Sequence, residues 1–143
     1  MHRLRSVLRN RRVISVSPAA SVHDAATAMT EGRVGAIPVL DGERLVGIFS
    51  ERDLMTRVVV PGLDARSTPV SEVMSSEVIT ATLEEHVDDC LEKMRTVGCR
   101  HLPVIEEGHV TAVLSMRDLL RDEIEEQDHE IRNLRAYLHQ TPV

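Results

Sequence analysis

The stretch Gly47-Ile48-Phe49-Ser50-Glu51-Arg52-Asp53-Leu54 returns 65 residues later as Ala112-Val113-Leu114-Ser115-Met116-Arg117-Asp118-Leu119. Both copies run from an apolar alternation into Ser-x-Arg-Asp-Leu, the pattern of a strand feeding a helix start. The match spreads outward without a gap. Val13-Ile14 pairs with Val78-Ile79, and Val22, Asp24 and Met29 pair with Val87, Asp89 and Met94. Pro38-Val39 pairs with Pro103-Val104, so residues 13–55 repeat as 78–120. A period of this length marks a repeat architecture whose units cannot bury their apolar faces alone.

Each unit reads as β-α-β-β-α. Short apolar runs, Val13 to Val16 and Val78 to Ala81, predict a first strand. Helices follow, with apolar positions at Val22, Ala25, Ala26 and Met29, then at Val87, Cys90, Leu91 and Met94. Ser21 is placed to cap the first. Ala36 to Leu40 and Leu45 to Phe49, around Asp41-Gly42, predict a hairpin. Leu102 to Ile105 and Val110 to Leu114, around Glu107-Gly108, predict a second. The fold class is α+β: tandem repeats packed sheet to sheet with pseudo-two-fold symmetry, sharing one aliphatic core, plus a C-terminal helix. The expected boundaries are repeat 1 at 1–60, a linker at 61–69, repeat 2 at 70–121, and a helix with its tail at 122–143. Val70 to Met74 introduces the second unit, and Leu4 to Leu8 is its looser counterpart before the first.

Composition narrows the function. The 143 residues include one Phe, one Tyr and no Trp, and the net charge is −6. So few aromatics disfavour the stacking platforms of RNA-recognition sheets and single-strand-binding barrels. The acidic balance argues against wholesale nucleic-acid binding. Two cysteines make neither a disulfide scaffold nor a four-cysteine zinc site. With no apolar run of membrane-spanning length, the expectation is a cytoplasmic protein.

The β-α-β-β-α unit, the hydrophobic-Pro-Val step and the doubled Gly/Ala-hydrophobic-x-Ser-x-Arg-Asp motif together resemble the CBS domain (cystathionine-β-synthase type). Two in tandem resemble a CBS pair, or Bateman module. Val70-Ser71-Glu72-Val73-Met74 and Asn133 to Tyr137 further resemble stand-alone CBS-pair proteins. The resemblance implies a sensor that binds an adenine nucleotide between the units, usually as a homodimer that acts on a regulated protein. AMP, ADP or ATP is the implied ligand; NAD(H) and S-adenosylmethionine are the alternatives. No metal is expected to be required, because Cys99-Arg100-His101 lacks further ligands at useful spacing. One site would join Ser50, Arg52 and Asp53 to Val78, Ile79, Arg100, His101, Leu102 and Pro103. The other would join Ser115, Arg117 and Asp118 to Val13, Ile14, Gly35, Ala36, Ile37 and Pro38.

The residue chemistry suits such a ligand. Asp53 and Asp118 can accept charge-assisted hydrogen bonds from ribose hydroxyls. Ser50 and Ser115 stand at helix starts, where unpaired N–H groups favour an anion. Ile14, Ile37, Ile79 and Leu102 can sandwich an adenine. A second reading applies to Ser50-x-x-Asp53: a capping box that stabilises its helix. Arg100 and His101 stand where the first unit has Gly35 and Ala36, so one cleft is expected to have a cationic wall and the other a wall of small, neutral residues. Gly47 corresponds to Ala112, where a methyl would narrow a cleft or fill core. Arg3, Arg5, Arg9, Arg11 and Arg12 form a basic start, read as a solvated or partner-docking end before a nucleic-acid arm. Arg11 or Arg12 could reach a phosphate. Leu120, Ile124, Ile131, Leu134 and Leu138 form a helical stripe read as an interface with a second chain. Without a phosphate-cradling Gly loop or a nucleophile elbow, no enzyme is expected.

Overall fold

The computed structural model describes residues 2–8 and 13–140. The repeat is visible element by element. Helix α2 (Val22–Gly32) and strands β1 (Ala36–Asp41) and β2 (Arg44–Ser50) have counterparts in α4 (Val87–Val97), β3 (His101–Glu106) and β4 (His109–Ser115), each shifted by 65 residues. Both hairpins are antiparallel and carry a register shift at the same place, Val39/Leu40 and Val104/Ile105. In the second hairpin, Glu107 (φ 50°) and Gly108 (φ 79°) both take the left-handed conformation that a two-residue turn of this hand requires. Ser21 caps α2 by accepting from the Asp24 N–H at 3.0 Å.

The expected first strands shrink to single parallel bridges, Val16 to Val39 and Ala81 to Val104. Each is tied by one donated and one accepted backbone bond; Val16 N–H reaches Pro38 O at 3.2 Å, and Leu40 N–H reaches Val16 O at 2.9 Å. Pro38 and Pro103 explain the limit. Proline has no N–H, so the ladder cannot extend through it from this side.

The closing helices differ. In the first unit α3 (Glu51–Asp53) runs into a π-helical segment, Leu54–Val59; in the second, α5 (Met116–Gln140) is continuous for 25 residues. β4 meets both β1 and β2, which brings the two sheets together.

The core is not shared. One cluster joins Val22, Met29, Ile37, Val39 and the single Phe, Phe49, with Val70 and Val73. The other joins Val87, Cys90, Met94, Leu102, Leu114 and Leu119 with Leu4. The leading segments have therefore crossed over. Leu4, on helix α1 (Leu4–Val7), is buried in the second unit, where Leu4 N–H donates to Glu85 O at 2.9 Å and Val87 N–H donates to His2 O at 2.9 Å. Val70, on a 3₁₀ turn (Val70–Glu72), is buried in the first unit, and its N–H donates to Ala20 O at 2.8 Å. Each unit is thus completed by the segment that precedes the other.

Gly47 belongs to this exchange. A Cβ there would lie 2.4 Å from Met74 Sδ, so the missing side chain lets the Val70–Met74 region close on β2. Ala112, its counterpart, is buried in the second core. Neither residue 47 nor its absent methyl bears on the large cavity described below.

The basic start is partly accounted for. Arg3 and Arg5 both bond to Glu84, Arg3 Nη1 at 3.1 Å and Arg5 Nε at 2.9 Å. Arg9, Arg11 and Arg12 lie outside the described residues. Among the described residues, no helix is long and apolar enough to cross a membrane.

Candidate functional site

A cavity of about 530 Å³ opens between the two units. That volume falls within the usual range for small-molecule sites, roughly 300–1,000 Å³. The first unit contributes Ser50, Glu51, Arg52, Asp53, Thr56 and Arg57, together with Gly35 and Ile48. The second contributes Val78, Ile79, Val97, Gly98, Cys99, Arg100 and His101, with Ser75 and Glu77 from the segment that leads into it.

The capping box is formed. Asp53 N–H donates to Ser50 Oγ at 3.2 Å, while Ser50 N–H donates to Asp53 Oδ2 at 3.1 Å. Ser50 Oγ also lies 3.0 Å from Oδ2. Oδ1 is less committed: Ser75 Oγ stands 3.3 Å away and Arg57 Nε 3.7 Å away. Asp53 is 7% exposed, so its carboxylate faces a largely desolvated space beside the helix start. There an incoming donor gains more than it would in water.

His101 stands on the opposite wall, and the symmetry break at this position makes room for it. A Cβ on Gly35 would come 3.1 Å from His101 Nε2 and 3.3 Å from Glu51 Oε1. Burial holds the His101 imidazole below its ordinary value near 6.5; Glu51 and Asp118 pull upward, and Arg100 pushes downward. The folded-state value is therefore the lower one. Stability from the neutral ring is full above the unfolded value and is lost as pH falls from it through the folded value. An anion placed against His101 reverses the pull, so its binding takes up a proton and tightens on acidification. The expected result is an affinity for a phosphate-bearing ligand that rises from pH 8 to pH 6 more steeply in wild type than in His101→Gln. Calorimetry across buffers checks it, and identical pH profiles for the two proteins would contradict it.

Of the first predicted group, Ser50, Arg52, Asp53, Val78, Ile79, Arg100 and His101 line this one cavity. Leu102 is wholly buried in core, and Pro103 does not line the cavity. The second predicted group is not brought together in the same way. Val13, Ile14, Ala36 and Pro38 line a small apolar cavity of about 70 Å³ with Val34, Ala112 and Val113. Ser115, Arg117 and Asp118 do not line it, Ile37 is wholly buried, and Gly35 faces the large cavity instead. Asp118 Oδ2 accepts from Ser115 N–H at 3.2 Å, and Ser115 Oγ accepts from Asp118 N–H at 3.0 Å, a second capping box.

The residues that sequence reasoning missed are mostly polar. Thr56 and Arg57 sit on the π-helical segment, and Ser75 follows the Val70–Met74 region directly. Arg57 Nη1 donates to Met74 O at 2.8 Å, fastening the Val70–Met74 region to the rim. The spacing carried one usable signal: Arg57 lies four residues after Asp53, one helical turn along.

The CBS domain family model matches residues 4–60 and 70–125. The chain belongs to the CBS domain family. This CBS pair is 33% identical over 108 residues to the CBS domain-containing protein YhcV of Bacillus subtilis, covering 76% of each chain. It is 33% identical over 123 residues to the mitochondrial CBSX3 of Arabidopsis thaliana, matching 82% of this chain but spanning only 60% of that relative's length. Among solved structures, the CBS domain NE2398 superposes with a TM-score of 0.82 at 32% identity, covering 87% of this chain and 99% of that one. The CBS domain protein PAE2072 from Pyrobaculum aerophilum, complexed with AMP, superposes at 0.73 and 32% identity, covering 82% and 89%.

Proposed function

We propose that this CBS pair is a regulatory module that binds an adenine nucleotide, AMP, ADP or ATP, in the cavity between Asp53 and His101. The observation that carries the reading is the convergence of three kinds of group on one space. Asp53 offers a buried carboxylate for ribose hydroxyls. Arg100 and His101 offer donors for phosphate. Val78 and Ile79 offer an aliphatic surface for adenine. The AMP complex of the archaeal relative supports the ligand class. Arg52, Arg57 and Arg100 set three guanidinium groups around the cavity, which favours the more highly charged phosphate chain. Mass spectrometry of small molecules released from the purified protein tests this. An adenine nucleotide at near-stoichiometric amount is expected; none, together with no heat on AMP or ATP titration, would overturn the reading.

The module is a binder and not a catalyst in this reading. The Cys90 thiol, pushed up to about 11 chiefly by burial, stays protonated at neutral pH, and burial also raises Cys99. Both cysteines are free, which suits a reducing cytoplasm.

The ligand state reaches a regulated protein through a homodimer. On α5, Ile124 is 59% exposed and Leu134 is 62% exposed, with Leu120, Ile131 and Leu138 on the same stripe. An apolar stripe of this kind is the seam of a helix pair. Replacing Ile131 and Leu134 with Glu is expected to convert dimer to monomer in light scattering at micromolar concentration. An unchanged mass for the double variant would remove α5 from the interface.

A further inference from the structure

Away from the nucleotide cavity, three metal-ligating side chains converge from the two ends of the chain. His2, Asp122 and Glu126 each present one ligand atom, and these atoms all lie within 4.8 Å of one another. His2 Nδ1 is 3.1 Å from Asp122 Oδ2 and 4.0 Å from Glu126 Oε2. We infer that His2, Asp122 and Glu126 bind a divalent transition-metal ion that fastens the N-terminal segment to α5.

The separations are those of a chelating set. Ligand atoms held at about 2.0–2.2 Å from a tetrahedral ion stand roughly 3.3 Å apart. His2 and Asp122 are already close to that distance, and Glu126, 4.0 Å from His2 Nδ1, approaches it by side-chain rotation. The carboxylates are four residues apart on α5 and so share one helix face. His2 is set in place by its own backbone. Its carbonyl accepts from Val87 N–H at 2.9 Å, the next residue, Arg3, bridges to His86, and Leu4 is fully buried. The side chains of Asp122 and Glu126 are only 17% and 15% exposed, while His2 is 45% exposed and leaves an approach from solvent.

One imidazole nitrogen with two carboxylate oxygens suits zinc and its first-row neighbours better than magnesium, which prefers oxygen and water.

The test uses the full chain without a polyhistidine tag, stripped by chelation and titrated with Zn²⁺ at pH 7.5 by calorimetry. One equivalent is expected to bind and to raise the unfolding temperature. His2→Ala and Asp122→Asn are each expected to weaken binding at least about tenfold. His129→Ala, on the same helix outside the cluster, leaves it unchanged. Mg²⁺ gives no comparable heat. Circular dichroism confirms that the variants fold, and His2→Asn serves if His2→Ala does not. No zinc binding by wild type, equal affinity in all variants, or equal affinity for Mg²⁺ overturns the assignment.

Discussion

Asp53→Asn is expected to weaken the proposed AMP binding by roughly 30- to 150-fold, corresponding to about 2–3 kcal/mol for a charge-assisted hydrogen bond in a desolvated site. The carboxylate divides its work. Oδ2 accepts from the Ser50 backbone and lies beside the Ser50 hydroxyl, which holds the helix start, while Oδ1 has longer contacts to Ser75 and Arg57 and remains open to a ribose hydroxyl. Asn keeps the size and one acceptor, so the helix cap survives while the charge is lost. Asp118→Asn is expected to leave AMP affinity within about threefold, because Asp118 does not line the large cavity. Calorimetric titration of the two variants checks both statements. Equal losses would mean that the two capping boxes contribute equally.

The second large effect falls at a residue ahead of the stretch 13–55 that recurs as 78–120. Leu4→Ala is expected to cost about 2–5 kcal/mol, as much as truncating a leucine inside a core. Leu4 is fully buried among Met94, Leu102, Leu114 and Leu119. Its removal opens a cavity in the second unit although it lies nine residues ahead of the first. Urea unfolding gives the number from the midpoint at unchanged slope. A loss under about 0.5 kcal/mol would show the segment to be dispensable.

These two residues show what sequence can and cannot carry. The helices, hairpins and capping boxes were legible because each is a local pattern: period 3.6, period 2, or a Ser with an acid three residues on. Repetition at a fixed offset then turned weak local signals into a fold. The crossed leading segments were not legible. Leu4 and Val70 announce burial but not in which unit, and no local rule distinguishes the two cores. The site divides along the same line. Ser50 and Asp53 were found because they sit in a repeated motif. Ser75 was missed because it joins the cavity through the pairing of Ile48 with Ser75, a contact made after folding. The asymmetry at Arg100 and His101 was legible as a charge difference. Its larger consequence, a cleft of about 530 Å³ against one of about 70 Å³, was not, because volume depends on how Gly35, His101 and the sheets pack.

The central claim is that one adenine nucleotide occupies the cavity between Asp53 and His101. Diffraction from crystals grown with saturating AMP tests it most directly. The expected result is density for one nucleotide in this cavity, with a ribose hydroxyl on Asp53 Oδ1, adenine against Val78 and Ile79, and phosphate facing Arg100 and His101. Density confined to the Ser115/Asp118 side, or an empty Asp53 cavity at saturating AMP, would contradict it.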